Sequence, residues 1–273
     1  MSNFEKINQY VSEKNKGFRN GMIRKEAKPR SPEGKQASYF ASSPKKSEYI
    51  LFSPIHYEPK YAYPLLVWFH SPGADEKELF RIMPQLSLRN YVAVAPRGLT
   101  FQENGGKQSR RFSSAEGFVS QFAPLYDWAE ESSSLNETES RVFEAISHAR
   151  LRCRLAPSRV FLAGVGAGGT MALRIGARRP EAFAGVVSFS GRFPFSPCSL
   201  AKWSSLRNLP MMITLGANNP IFPHSAVNEQ LRLFHTAGMS VSIRQYKTAN
   251  DLIPQMLKDA NQWIMDQILN PAC

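Results

Sequence analysis

Short, unbroken apolar runs alternate with amphipathic stretches along most of this chain. LLVWFH (65–70) and YVAVAP (91–96) are continuous and β-branched or aromatic, the pattern of strands buried on both faces. SEYILFSP (47–54) predicts an earlier strand. IHYEPKYAYP (55–64) predicts a turn-rich connection closed by proline. SPGADEKELFRIMPQLS (71–87) reads as loop and helix. TESRVFEAISHARLRC (138–153) places Val142, Phe143, Ile146 and Ala149 at helical spacing. RVFLAG (159–164) then predicts a strand and TMALRIGARR (170–179) a helix. GVVSFSG (185–191), MMITLGA (211–217) and VSIRQY (241–246) predict further strands. SAVNEQLRLFHTAG (225–238) predicts a helix closed by Gly238. PQMLKDANQWIMDQIL (254–269) predicts a last helix with proline in its first turn.

Strand and helix alternate from about residue 60 onward. That order implies an α/β fold, an open and mostly parallel sheet with helices on both faces. Residues 98–136 break the pattern. They are irregular and rich in Gly, Ser and aromatics, as in a functional lid or cap. Residues 1–40 read as a basic, polar lead-in and 41–273 as the α/β domain. No internal repeat is visible.

Composition narrows the class. The 273 residues are 42% hydrophobic, ordinary for a globular domain, and no apolar run is long enough for a membrane span. The first residues lack the apolar stretch of a secretory signal. Cys153, Cys198 and Cys273 are scattered and lack zinc-ligand spacing. A cytoplasmic protein with no cofactor is the expectation. The net charge is +12, and residues 1–35 hold nine Lys/Arg against four Glu. Arg110, Arg111, Arg150, Arg152, Arg154, Arg174, Arg178 and Arg179 add basic positions, with Arg174 and Arg178 one helical turn apart. Solvated charge accounts for this. An anionic partner reached through the basic N-terminal segment, nucleic acid included, is the sharper alternative.

GVGAGG (164–169) raises the question of chemistry. It fits G-x-G-x-x-G, the dinucleotide turn, and it also stands where a hydrolase carries G-x-S-x-G. The dinucleotide turn follows the first strand of its domain, with an acidic residue about 20 positions on. Here at least three strands precede it, and the next strand ends in Ser188-Phe189-Ser190-Gly191 without a carboxylate, although Arg192 could take a 2′-phosphate.

The neighbouring segments favour the hydrolase reading. LLVWFHSPGADEKEL resembles the strand and oxyanion loop of the phospholipase/carboxylesterase family, roughly H-G-x-G-G-D-E after an apolar strand. YVAVAPRG resembles that family's next strand. LAPSRVFLAGVGAGGTMAL resembles its elbow, MMITLGANNPIFP the segment bearing its acid, and SIRQYKTANDLIP the segment bearing its histidine. The resemblance covers about residues 45–270. It implies an α/β-hydrolase fold.

It also implies a degenerate triad. By resemblance the nucleophile falls on Gly166, the acid on Asn219 and the base on Asn250. In such enzymes serine attacks, histidine takes its proton and the acid orients histidine. Glycine has no side chain to attack, and neutral amides neither accept a proton near pH 7 nor balance an imidazolium. Loss of a triad costs on the order of 10⁶ in kcat in another serine hydrolase. The oxyanion donors would be the N–H groups of Ala167 and of residue 72, but Pro72 has none. A missing donor costs about 10²–10³ in rate. A pseudoenzyme is therefore expected. Its pocket would involve Ser71, Gly166, Ala167, Asn219, Asn250 and His224, and would take an ester- or carbonyl-containing small molecule or a protein partner. Two alternatives keep chemistry: a relocated Ser71–His224 pair in an active carboxylic ester hydrolase, and a relocated nucleophile at Cys198. His56 reads as a turn residue, His70 as structural, and His148 and His235 as surface or packing residues of helices.

Overall fold

The computed structural model describes residues 38–41, 49–100, 126–128, 132–192, 203–217, 232, 234–248 and 251–270. In chain order the strands are β1 (Ser38–Ala41), β2 (Tyr49–Ser53), β3 (Tyr63–Phe69), β4 (Val92–Pro96), β5 (Leu99–Thr100), β6 (Tyr126–Asp127), β7 (Leu155–Val165), β8 (Gly185–Phe189), β9 (Met211–Gly216) and β10 (Val241–Tyr246). The helices are α1 (Leu79–Leu86), α2 (Ser132–Arg152), α3 (Ala167–Arg178), α4 (Trp203–Arg207) and α5 (Pro254–Leu269).

Eight strands form one sheet in the order β1-β2-β4-β3-β7-β8-β9-β10. β2 is antiparallel to both β1 and β4, and every other pair is parallel. β5 and β6 make a separate antiparallel pair at the two edges of the irregular region, whose residues 101–125 lie outside the described residues.

The continuous apolar runs have a simple cause. In β3, Leu65, Val67 and Phe69 face one core, shared with Val142, Phe143 and Ile146 of α2 and Met171 and Ile175 of α3. Leu66 and Trp68 face the other, shared with Ile82 and Met83 of α1 and Leu257, Trp263 and Ile264 of α5. Side chains alternate across a strand, so a central strand must be apolar at every position. Each such side chain contributes roughly 1.5–3 kcal/mol on burial.

The observed elements match the pattern read from sequence, with differences at their ends. β3 starts at Tyr63 and includes Pro64, because a register shift against β7 between Tyr63 and Leu65 removes the need for a ladder donor. α2 begins at Ser132, so the irregular stretch expected over 98–136 is shorter at its far end. Its first turns are serine-rich and weak by propensity, and the helix is held by packing further along. β1 brings residues 38–40 into the sheet by pairing with β2. Most of the helix expected over 225–238 lies outside the described residues. Its close is visible: Gly238 has φ 70° and donates to His235 O at 3.0 Å.

Candidate active site

β7 runs up the centre of the sheet and ends at Val165. α3 starts two residues later, and Gly166 between them has φ 57° and ψ −118°. Only glycine adopts that combination without strain. The turn is fixed on both sides: Gly166 N donates to Phe189 O at 2.8 Å, and Gly166 O accepts from Thr170 N at 3.0 Å. Gly168 is required for a different reason. A Cβ there would lie 2.5 Å from the carbonyl oxygens of both Phe69 and His70. A Cβ at Gly164 would lie 2.6 Å from Gly168 C. The glycine pattern is thus accounted for by one sharp turn and by close contact of α3 with β3 and β7. The turn follows the fifth strand of the main sheet in chain order, unlike a dinucleotide turn at the first.

Facing this turn is the segment after β3, held by polar contacts on all sides. His70 is fully buried. Its Nδ1 lies 2.9 Å from Ser71 O, its Nε2 accepts from Gly98 N at 3.0 Å, and its carbonyl accepts from Trp128 Nε1 at 2.8 Å. These bonds require a neutral ring with the proton on Nδ1. Burial lowers the His70 pKa to about 4, against smaller opposing effects of the Ser71 carbonyl and the Asp75 charge. His70 is a structural residue, as read from sequence.

Ser71 is held by a carboxylate that sequence reading missed. Its N–H and its hydroxyl donate to the two oxygens of Glu78, at 2.6 and 2.8 Å. Burial raises the Glu78 pKa, and the two Ser71 hydrogen bonds lower it in part. Further on, Gly73 N donates to Tyr126 O and Ala74 N to Ser71 O, both at 3.0 Å. Asp75 caps the following turn by accepting from Lys77 N at 2.9 Å. Glu76 receives both guanidinium arms of Arg97, one at 2.6 Å from Nε. Arg97 also lies over the Tyr126 ring, 4.8 Å from its centroid. Of the backbone at 71–74, three N–H groups are bonded within the protein, and Pro72 has none.

Pro72 meets the glycine turn. A Cβ at residue 166 would stand 3.2 Å from Pro72 Cδ and 3.4 Å from Cγ. The proline ring therefore borders the space that a side chain at 166 would enter. Ala167 is the first residue of α3, so its N–H has no partner within the helix.

Four of the expected site residues, Ser71, Pro72, Gly166 and Ala167, are thus gathered at the carboxyl end of the parallel strands. Asn219, His224, Asn250 and Cys198 lie outside the described residues. Ala217 N donates to Tyr246 O at 2.7 Å, so β9 and β10 end side by side at that same end of the sheet. His56 sits in a turn with φ 59°, and His148 stacks on Tyr49 with ring centroids 5.2 Å apart. Among the described residues no group of three or more His, Cys, Asp or Glu side chains could hold a metal ion.

A mostly parallel eight-stranded sheet, helices on both faces and a sharp strand-to-helix turn in mid-sheet define an α/β-hydrolase fold. Residues 59–268 match the model of the phospholipase/carboxylesterase family, and the chain belongs to that family. Solved structures agree on the fold. A ferulic acid esterase is similar with TM-score 0.62 and 14% identity, over 84% of this chain and 97% of its own. A carboxylesterase from Mesorhizobium loti is similar with TM-score 0.61 and 15% identity, over 83% and 98%. A phospholipase/carboxylesterase from Dyadobacter fermentans is similar with TM-score 0.57 and 16% identity, over 84% and 100%. No curated protein matches by sequence.

Proposed function

We propose that this chain is a catalytically inactive member of its family, working by binding rather than by ester hydrolysis. The observation that carries this is the pairing of Gly166 with Pro72. The sharp turn where such hydrolases hold their nucleophile carries no side chain, and a proline ring borders the space one would occupy. The loop opposite adds weight, because none of its N–H groups at 71–74 is left for a developing oxyanion. Asn219 and Asn250, at the acid and base positions by resemblance, supply neither charge nor proton affinity. Ser71 donates its hydroxyl directly to the buried Glu78 carboxylate, a serine–acid contact with no histidine between the two and no free oxyanion donor in its own loop. With one oxyanion donor remaining at Ala167, a bound carbonyl would be held weakly. Such a site would hold a small molecule without turning it over or seat a protein partner, such as an active relative.

The purified chain is expected to give no labelling by a fluorophosphonate probe and no turnover of short p-nitrophenyl esters. Sustained turnover that survives exhaustive purification, or covalent labelling at any serine, would sink the reading.

A further inference from the structure

The opposite end of the sheet, where the parallel strands begin, carries an exposed basic and apolar surface that the family's chemistry does not use. Three segments meet there. The 54–62 loop is tied to the 87–90 turn by Ile55 N donating to Leu88 O at 2.8 Å. It is tied to the end of α2 by Arg154 N donating to the Tyr57 hydroxyl at 2.7 Å, and by Tyr63 N donating to Arg154 O at 3.0 Å. Tyr63 also carries the rings of Tyr57, stacked at 5.2 Å, and Tyr61, edge-on at 4.7 Å.

On this frame Lys60, Arg89, Arg152 and Arg154 are exposed, and Glu58 is the sole acidic residue of the three segments. Lys60, Arg89 and Arg154 have no ion pair among the described residues, in contrast to Arg178 and Arg179, which both bind the buried Glu139 at 2.9 and 2.7 Å. Leu151, in the last turn of α2, is 82% exposed, and Tyr61, in the 54–62 loop, is 47% exposed. Two long polar segments of this chain do not complement such a surface. Residues 1–35 carry nine Lys/Arg against four Glu, and residues 101–125 three against two.

We infer that this end of the molecule docks on the surface of an anionic lipid bilayer, with Leu151 and Tyr61 entering the interface and Lys60, Arg89, Arg152 and Arg154 on the headgroups. An exposed aliphatic side chain and an exposed amphipathic ring at one end of the sheet are the equipment of an interfacial contact. Cations around it are attracted by the negative potential of the leaflet. A polynucleotide would use the cations and could stack on Tyr61, but it gains little from an exposed leucine. The inference does not depend on whether the other end is catalytic.

The test is co-sedimentation of the full chain with phosphatidylcholine vesicles made with and without phosphatidylserine. Binding is expected only with phosphatidylserine and should weaken with added salt. Each cation is worth about fivefold in partitioning, so K60Q/R89Q/R152Q/R154Q should lose about a hundredfold or more. L151S should lose roughly tenfold through apolar contact alone. R152Q/R154Q is the fallback should the quadruple variant fold poorly by circular dichroism, with a loss of about twentyfold expected. Equal binding to vesicles lacking phosphatidylserine, or wild-type binding by folded variants, overturns the inference. So does salt-sensitive retention on a single-stranded oligonucleotide, lost in the same variants, when vesicles are ignored.

Discussion

At the carboxyl end of the sheet, backbone touches backbone. Gly168 lies so close to the ends of β3 that an added methyl group would collide with two carbonyl oxygens, and His70 is enclosed by bonds from Gly98 and Trp128. At the amino end the side chains of Lys60, Arg89, Leu151, Arg152 and Arg154 stand in solvent. The first end leaves little freedom in sequence, because each residue is dictated by a turn angle, a contact or a buried hydrogen bond. The second leaves a great deal, because the fold does not need those side chains. A residue at the tight end therefore says little about binding, whereas Lys60, Arg89 and Arg154, which make no ion pair among the described residues, and the exposed Leu151 are not explained by packing.

The most direct way to break this contrast is one substitution at each end. Gly168→Ala forces backbone apart and is expected to lower stability by about 3 kcal/mol, read as a reduced midpoint of urea unfolding. Arg154→Gln should change the same midpoint by no more than about 0.5 kcal/mol. A Gly168→Ala variant as stable as the parent would show that α3 and β3 separate easily and that the glycine pattern is not a packing requirement.

Much of this was legible in sequence, for identifiable reasons. Strands β3, β4 and β8 are buried on both faces and so appear as unbroken apolar runs. The turn at Gly166 announces itself because few residues other than glycine take its backbone angles. The framework around it was not legible. Glu78 binding Ser71, Trp128 binding the His70 carbonyl and Glu76 binding Arg97 join residues that follow no periodicity, and DEKE (75–78) reads as an ordinary solvated helix start. Asp75 and Lys77 do play that part, while Glu76 and Glu78 turn inward. Charge alone does not reveal which of four adjacent residues is buried. Asn219 and Asn250 rest on resemblance, and no periodic signal locates them.

His70 sharpens the contrast through pH. Unfolded, its imidazole titrates near 6.5, and folded, burial holds it near 4. Between those values the unfolded chain binds a proton that the folded chain refuses, so this residue makes stability rise with pH across that interval. Its contribution is complete above about pH 6.5 and is lost as pH falls toward 4, for a total of roughly 3 kcal/mol. Glu78, whose pKa is raised, acts in the opposite sense, since its folded form binds a proton more readily than its unfolded form. The His70 effect is therefore isolated by subtracting the profile of His70→Gln, which has no titrating ring. The difference should slope between pH 6.5 and 4 and be flat above. A flat difference throughout would mean that solvent reaches His70 and that the tight end is looser than its hydrogen bonds imply.

A coupling energy discriminates most finely between the two restraints on residue 166. Gly166→Ser must adopt φ near 57°, a strain of about 1–3 kcal/mol, and must also accommodate Pro72 at 3.2 Å. Pro72→Ala removes the ring atoms in question and leaves the turn angle untouched. If both restraints act, the double variant Pro72→Ala/Gly166→Ser should recover about 1 kcal/mol relative to the sum of the single variants, measured as a coupling energy in a urea-unfolding cycle. Full additivity would leave backbone strain as the sole restraint and remove Pro72 as a barrier to a side chain at the turn. Ester turnover should stay absent in the double variant if Asn250 holds the base position, as the resemblance implies, because an amide takes no proton from serine. Strong turnover would mean that a group other than Asn250 serves as base, which would return this end of the molecule to the hydrolases despite its glycine.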